Sequence, residues 1–199
     1  MGSREIDIEF TKEQIEMYNG KGYRLCFGTG VGQNPAFNVI AQAATITPKV
    51  TFQWNDEFQI AATNGRFENG GTITMATNLA SIKFDQVYTL PPTWIDGNIA
   101  NEKLPGKSFK MVNGTSRGAG AVLFRRVNGQ YVPFYVSNPP IDPNGSELLT
   151  PKLRVALWFQ ANAETGAMVS INKADLSTFD FSGRNQVNLK CNNGQFVAA

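Results

Sequence analysis

Histidine is absent from all 199 residues of this chain. Without an imidazole there is no His-based general acid–base catalysis, no Ser-His-Asp or Cys-His nucleophile pair, and no ordinary zinc site. Catalysis here would have to use carboxylates, lysine, tyrosine or shape alone. Cysteine is scarce as well. Cys26 and Cys191 allow one disulfide but no disulfide scaffold. Alternation points Cys26 away from the core that holds Leu25 and Phe27, whereas Cys191 shares a face with Val187 and Leu189, so no bridge between them is expected.

Charge of one sign is also lacking: 18 basic and 16 acidic residues leave a formal net charge of +2. The basic residues are scattered, Arg125-Arg126 being the only adjacent pair, which argues against a nucleic-acid partner. No apolar run approaches the roughly 18 residues that a membrane-spanning helix needs. The first residues lack the apolar stretch of a secretory signal, so a cytoplasmic location is expected, or a secreted one if a signal peptide has been removed. No cofactor and no metal are expected.

What is present is strand and turn. Ile6, Ile8 and Phe10 alternate with Glu5, Asp7 and Glu9, the period of a strand with one buried face. Thr11-Lys12-Glu13-Gln14 reads as a capping box opening a short helix that Gly20 or Gly22 ends. Val50, Phe52 and Trp54 define another strand face, as do Ile82, Phe84, Tyr88 and Leu90. In a further strand Leu153, Val155, Leu157 and Phe159 stand opposite Arg154, Ala156, Trp158 and Gln160. Asn-Gly pairs at 64, 69, 128, 144 and 193 supply turn signals between the runs. The fold class is therefore mostly β: an antiparallel sandwich or barrel with a short N-terminal helix.

The two halves resemble each other. Tyr23–Thr29 matches Phe109–Thr115, and Thr47-Pro48-Lys49 returns as Thr150-Pro151-Lys152. Phe84-Asp85 and Gln86-Val87 return in the same order as Phe179-Asp180 and Gln186-Val187. This predicts an N-terminal strand and helix over 1–21, repeats over 22–90 and 107–199, and a connector over 91–106. Each repeat is marginal in size, so the two are expected to share one core.

Counting from the shared Thr-Pro-Lys aligns Trp54 with Leu157 and Asn55 with Trp158. Trp158 then lies on the polar face of its strand, beside Arg154 and Gln160. In the connector, Trp94 precedes Asp96 and Asn98. An aromatic face takes the C–H side of a sugar while carboxylate and amide groups bind its hydroxyls. Trp158, Arg154, Gln160, Trp94, Asp96, Asn98 and Asn55 are thus the candidate ligand-binding residues, with catalytic residues unknown.

Other motifs have structural readings. Gly28-Thr29-Gly30-Val31-Gly32 approximates a dinucleotide loop, but its spacing is GxGxG and Pro35 interrupts the helix start. Asp142–Glu147 spaces oxygens like a calcium loop without the full pattern. Asp85 and Asp180 occupy matching repeat positions but more often such residues end strands. Asn113-Gly114-Thr115 and Asn144-Gly145-Ser146 are sequons at the frequency that 19 asparagines give by chance.

These features predict a non-catalytic, lectin-like protein binding a small molecule or glycan, with self-association left open. The alternatives are a histidine-independent cyclase or isomerase holding an apolar pocket between the repeats, and a membrane-active or self-assembling β protein using clusters such as Tyr131–Tyr135.

Overall fold

The computed structural model describes residues 2–199. The chain is mostly β, with strands β1 (Arg4–Glu9), β2 (Tyr23–Val31), β3 (Gln42–Ala44), β4 (Lys49–Thr63), β5 (Ala80–Ile82), β6 (Gln86–Leu90), β7 (Asn98–Asn101) and β8 (Phe109–Asn113). There follow β9 (Gly120–Val127), β10 (Gln130–Val136), β11 (Ser146–Leu149), β12 (Pro151–Ala161), β13 (Ser177–Asp180), β14 (Gln186–Asn192) and β15 (Gln195–Ala198). One α-helix, α1 (Lys12–Gly20), follows β1. Its capping box is formed: the Gln14 N–H donates to the Thr11 hydroxyl, and the Gln14 side chain accepts from the Thr11 N–H.

The strands form three sheets, none closed into a barrel, so the barrel alternative is set aside. The largest runs β10-β9-β4-β1-β14-β15, with β5 also on β4; the others run β11-β8-β6-β7 and β13-β12-β2-β3. Pairing is not uniformly antiparallel. β1 lies beside β4 and runs parallel to β14, while β8 lies beside β11 and runs parallel to β6. The expectation of an antiparallel sandwich fails at these two ladders. A parallel pair needs a crossover of about a dozen or more residues. Most of the chain lies between β1 and β14, and the segment 91–108, which carries β7, lies between β6 and β8.

One hydrophobic cluster draws on all three sheets, including Ile6, Phe52 and Leu123 from the first, Tyr88 and Phe109 from the second, and Phe27 and Leu157 from the third. Its rings interlock: Phe27 stacks on Phe52 at 4.9 Å between centroids, and Phe84 on Phe109 at 5.3 Å. The abundance of phenylalanine is largely spent on this packing. The alternation read for β1 and for the start of β4 holds, with Ile6, Ile8, Val50, Phe52 and Trp54 all buried. Asparagine serves as turn chemistry. Asn128, Asn144, Asn162 and Asn193 all take positive φ, which an amide side chain tolerates best among non-glycines.

Both cysteines are free and buried, on different clusters. Burial pushes the Cys26 thiol up to about 12, against a smaller opposing pull from Arg24.

Candidate functional site

β12 positions Trp158, and here the structure corrects the sequence reading. Trp158 is 3% exposed, not an open platform on a polar face. It packs with Cys26, Ile40, Ala43, Ala163 and Val169 in a second hydrophobic cluster. Segments around Phe37–Ala43 and Ala163–Leu176 fold over this side of β12, so the strand is buried on both faces. The indole N–H donates to the Gln160 side-chain oxygen at 3.1 Å, which satisfies both groups locally. Leu153, expected in the core, is instead exposed.

The other expected binders are dispersed. Arg154 is exposed and faces Asp180 across the β12–β13 ladder at 3.8 Å, a weak surface pair. Asp96 accepts from both the side chain and the backbone N–H of Asn78, at 3.0 and 2.9 Å, and these bonds hold its carboxyl below the ordinary value. It is a loop staple. Asn98 is exposed at the start of β7, opposite Thr89. Trp94 is half-buried at φ 57°, packed against the core and carrying the Arg117 guanidinium 4.9 Å from its ring centre.

Asn55 sits where the β4 register shifts between Trp54 and Phe58. That irregularity frees the Asn55 carbonyl to accept from Arg125 and turns Asp56 toward both Arg4 and Arg125, at 3.0 and 3.1 Å. Arg125 is 2% exposed, with its guanidinium over the rings of Phe58 and Phe134. Burial pulls its pKa down to about 10 although Asp56 opposes this. A cleft of about 370 Å³ beside it is bordered by Asn55, Asp56, Glu57, Ser81, Lys83 and Tyr131. Asp56 and Glu57 are already committed there, Glu57 to Arg126 and Tyr131.

In the glycine stretch at 28–32, residues 28–31 are strand and Gly32 opens a turn, so it is not a phosphate loop. Asp142–Glu147 closes a turn through the Gly145 N–H and the Asp142 carbonyl, and Glu147 accepts from the Tyr135 and Ser137 hydroxyls. Among the described residues no three acidic, cysteine or histidine side chains gather into a metal-holding cluster. Asp85 and Asp180 each accept a backbone N–H at a turn, from Leu104 and Ser182.

A large cleft, about 630 Å³, lies between the segment after β4, the segment before β9 and the segment after β10. Asn64, Arg66, Phe67, Arg117, Asn138 and Asp142 line it. Six of the eight arginines make a hydrogen bond or ion pair: Arg4, Arg24, Arg125, Arg126, Arg154 and Arg184. The guanidinium groups of Arg66 and Arg117 make none among the described residues, although the Arg117 backbone is bonded to Asn113 and Thr115, and both residues border this one cleft. The Trp94 ring fixes Arg117 by a cation–π contact while leaving its N–H donors unspent. Two uncommitted guanidinium groups with adjoining amides, an aromatic ring and Asp142 form a site suited to an anionic, hydroxylated ligand.

No family model, curated protein or solved structure matches this chain.

Sequence reasoning missed Arg66, Arg117, Asn64, Asn138 and Asp142 because three separate segments bring them together. The available signal was an arginine in each of two glycine-bearing loops, Asn64-Gly65-Arg66 and Arg117-Gly118.

Proposed function

We propose that this protein is a non-catalytic, lectin-like binder of an acidic glycan, with its combining site in the cleft between Arg66 and Arg117. The observation that carries the reading is that the two arginines whose guanidinium groups lack a hydrogen-bonding partner among the described residues both line the same cleft. Asn64 and Asn138 add amides for hydroxyl groups, and Phe67 adds ring surface, while Trp94 holds Arg117 from behind the lining. The interlocked Phe core weakens the alternative of an enzyme with an apolar chamber between two halves.

The reading extends to architecture: a sandwich-like packing of two related halves about one core. Every strand pairing has a counterpart when β1–β7 are exchanged with β8–β15, β4 standing for β11 and β12 together. The parallel β1–β14 ladder answers to β8–β6, β1–β4 to β8–β11, β2–β3 to β9–β10, and β4–β9 to β12–β2. β4–β5 and β6–β7 answer to β12–β13 and β14–β15. Register agrees in detail: Trp54–Val127, Phe58–Arg125 and Ile60–Leu123 correspond to Pro151–Val31, Val155–Thr29 and Leu157–Phe27, with a shift between the first two pairs in both ladders. This exchange sets Ile60, not Trp54, opposite Leu157, and β2 opposite β9 rather than β8, so it replaces the alignments of Trp54 with Leu157, Asn55 with Trp158 and Tyr23–Thr29 with Phe109–Thr115.

The test is a glycan array carrying neutral, carboxylated and sulfated saccharides, run on the wild type and on Arg66→Ala/Arg117→Ala. Selective binding to acidic glycans, weakened at least tenfold in the double variant, is expected. Carboxylated and sulfated arms identify the anion. A blank array, or binding that the variant leaves intact, would overturn the assignment.

A further inference from the structure

Resting on that reading of a lectin built from two related halves, we infer that the chain carries a second saccharide site, at the counterpart of the arginine cleft. The large cleft is walled by the segments after β4, before β9 and after β10. Their counterparts under the exchange are the segments after β12, before β2 and after β3. Those three segments also enclose a cleft, of about 400 Å³, bordered by Asn19, Tyr23, Arg24, Thr45, Asn162 and Glu164. Asn162 and Glu164 follow β12, Asn19 and Gly22 precede β2, and Thr45 follows β3. The cavity is thus reproduced wall by wall, although few of its side chains are.

The side chains set a different ligand charge. Arg24 is engaged, donating to the Ala163 carbonyl at 3.3 Å, and Asn19 donates to the Ile46 carbonyl at 2.9 Å. The other polar residues that border the space are Tyr23, Thr45, Asn162 and Glu164. Tyr23 is held edge-on against Tyr18, with ring centres 6.4 Å apart, which fixes its position. The lining holds one guanidinium, Arg24, and one carboxylate, Glu164, and so carries no net charge. Such a surface has no excess positive charge to draw an anion and offers acceptors and donors to hydroxyl groups. The second site takes an uncharged sugar unit, so the protein would hold one acidic and one neutral saccharide at once. Two such sites on one rigid body raise avidity for a glycan surface that displays both.

The experiment is backbone amide NMR of the intact chain, titrated separately with galactose, glucose, mannose, N-acetylglucosamine and glucuronic acid. It is run on the wild type, on Tyr23→Phe/Glu164→Gln, and on Arg66→Ala/Arg117→Ala. Both pairs of substitutions change exposed or half-buried groups and keep the packed ring of residue 23. A neutral sugar is expected to shift the amides of Tyr23, Arg24 and Glu164. The first variant should weaken that response at least tenfold and the arginine variant should leave it unchanged. Neutral sugars that shift only Gly65, Phe67 and Gly118 would overturn the second site and leave the arginine cleft standing. Neutral-sugar shifts confined to the second cleft, with an array indifferent to the arginine variant, would uphold the second site and sink the first. Titrations in which no neutral sugar moves any amide of this cleft would overturn the inference.

Discussion

The indole of Trp158 occupies the space that a side chain at position 28 would need: a Cβ built on Gly28 would lie 3.1 Å from the ring. Glycine at 28 and tryptophan at 158 are therefore one packing unit, joined across the β2–β12 sheet. Trp158→Ala is expected to cost about 3–5 kcal/mol in urea unfolding, as for other buried aromatic truncations. Gly28→Ala should cost about 1–3 kcal/mol through overpacking. An unchanged unfolding midpoint for Trp158→Ala would show that the ring is not buried.

Among the described residues Asp56 is the sole carboxylate paired with Arg125, whose side chain is 2% exposed, and it also pairs with the less buried Arg4. Asp56→Ala should destabilise by about 3–5 kcal/mol, because it strands a buried cation. Arg4→Ala leaves the Asp56–Arg125 pair in place and should cost clearly less. Equal losses in the two variants would show that the pair at Arg125 is not the dominant one.

Asp7 gives an acid-side signature. Burial alone would raise its pKa, but the Thr51 hydroxyl at 2.5 Å and the Lys49 ammonium at 3.2 Å hold it below the ordinary 3.8. A depressed carboxyl contributes stability that is present above the unfolded value and is lost as pH falls through the folded one. Stability should therefore drop below about pH 4 in the wild type and drop less steeply in Asp7→Asn. That variant should already have lost about 1–3 kcal/mol at pH 7. Parallel pH profiles for the two proteins would contradict this assignment.

Cys26, with its thiol pushed up to about 12, is protonated and enclosed at neutral pH. Iodoacetamide at pH 7.5 should leave Cys26 unmodified in the native protein and label it after unfolding in urea. Mass spectrometry of the Cys26 peptide decides the matter. On the alkaline side the raised pKa contributes stability below the unfolded value, near 9, which is lost as pH climbs toward 12.

Much of the strand pattern was legible because alternation is local: Ile6-Asp7-Ile8 and Val50–Trp54 each declare a face within a few residues. So was the Thr11–Gln14 cap, whose partners are three residues apart. Trp158 was misjudged because the segments that cover it lie far from it in the chain or beyond a turn, and alternation carries no information about what lands on the second face. The site was less legible still. Arg66 and Arg117 are separated by the β5–β8 region, and only tertiary folding brings their loops to one cleft. No spacing rule encodes that meeting. The parallel β1–β14 ladder was hidden for the same reason.

That ladder has a consequence for synthesis. β1 leaves the ribosome long before one of its two neighbours, residues 186–190. Until then one edge of β1 has no β14 to pair with, exposing a row of unpaired amide and carbonyl groups beside Ile6 and Ile8. The large sheet cannot be completed until residues 186–190 have emerged, so nascent chains stalled before residue 186 are the ones that need chaperoning.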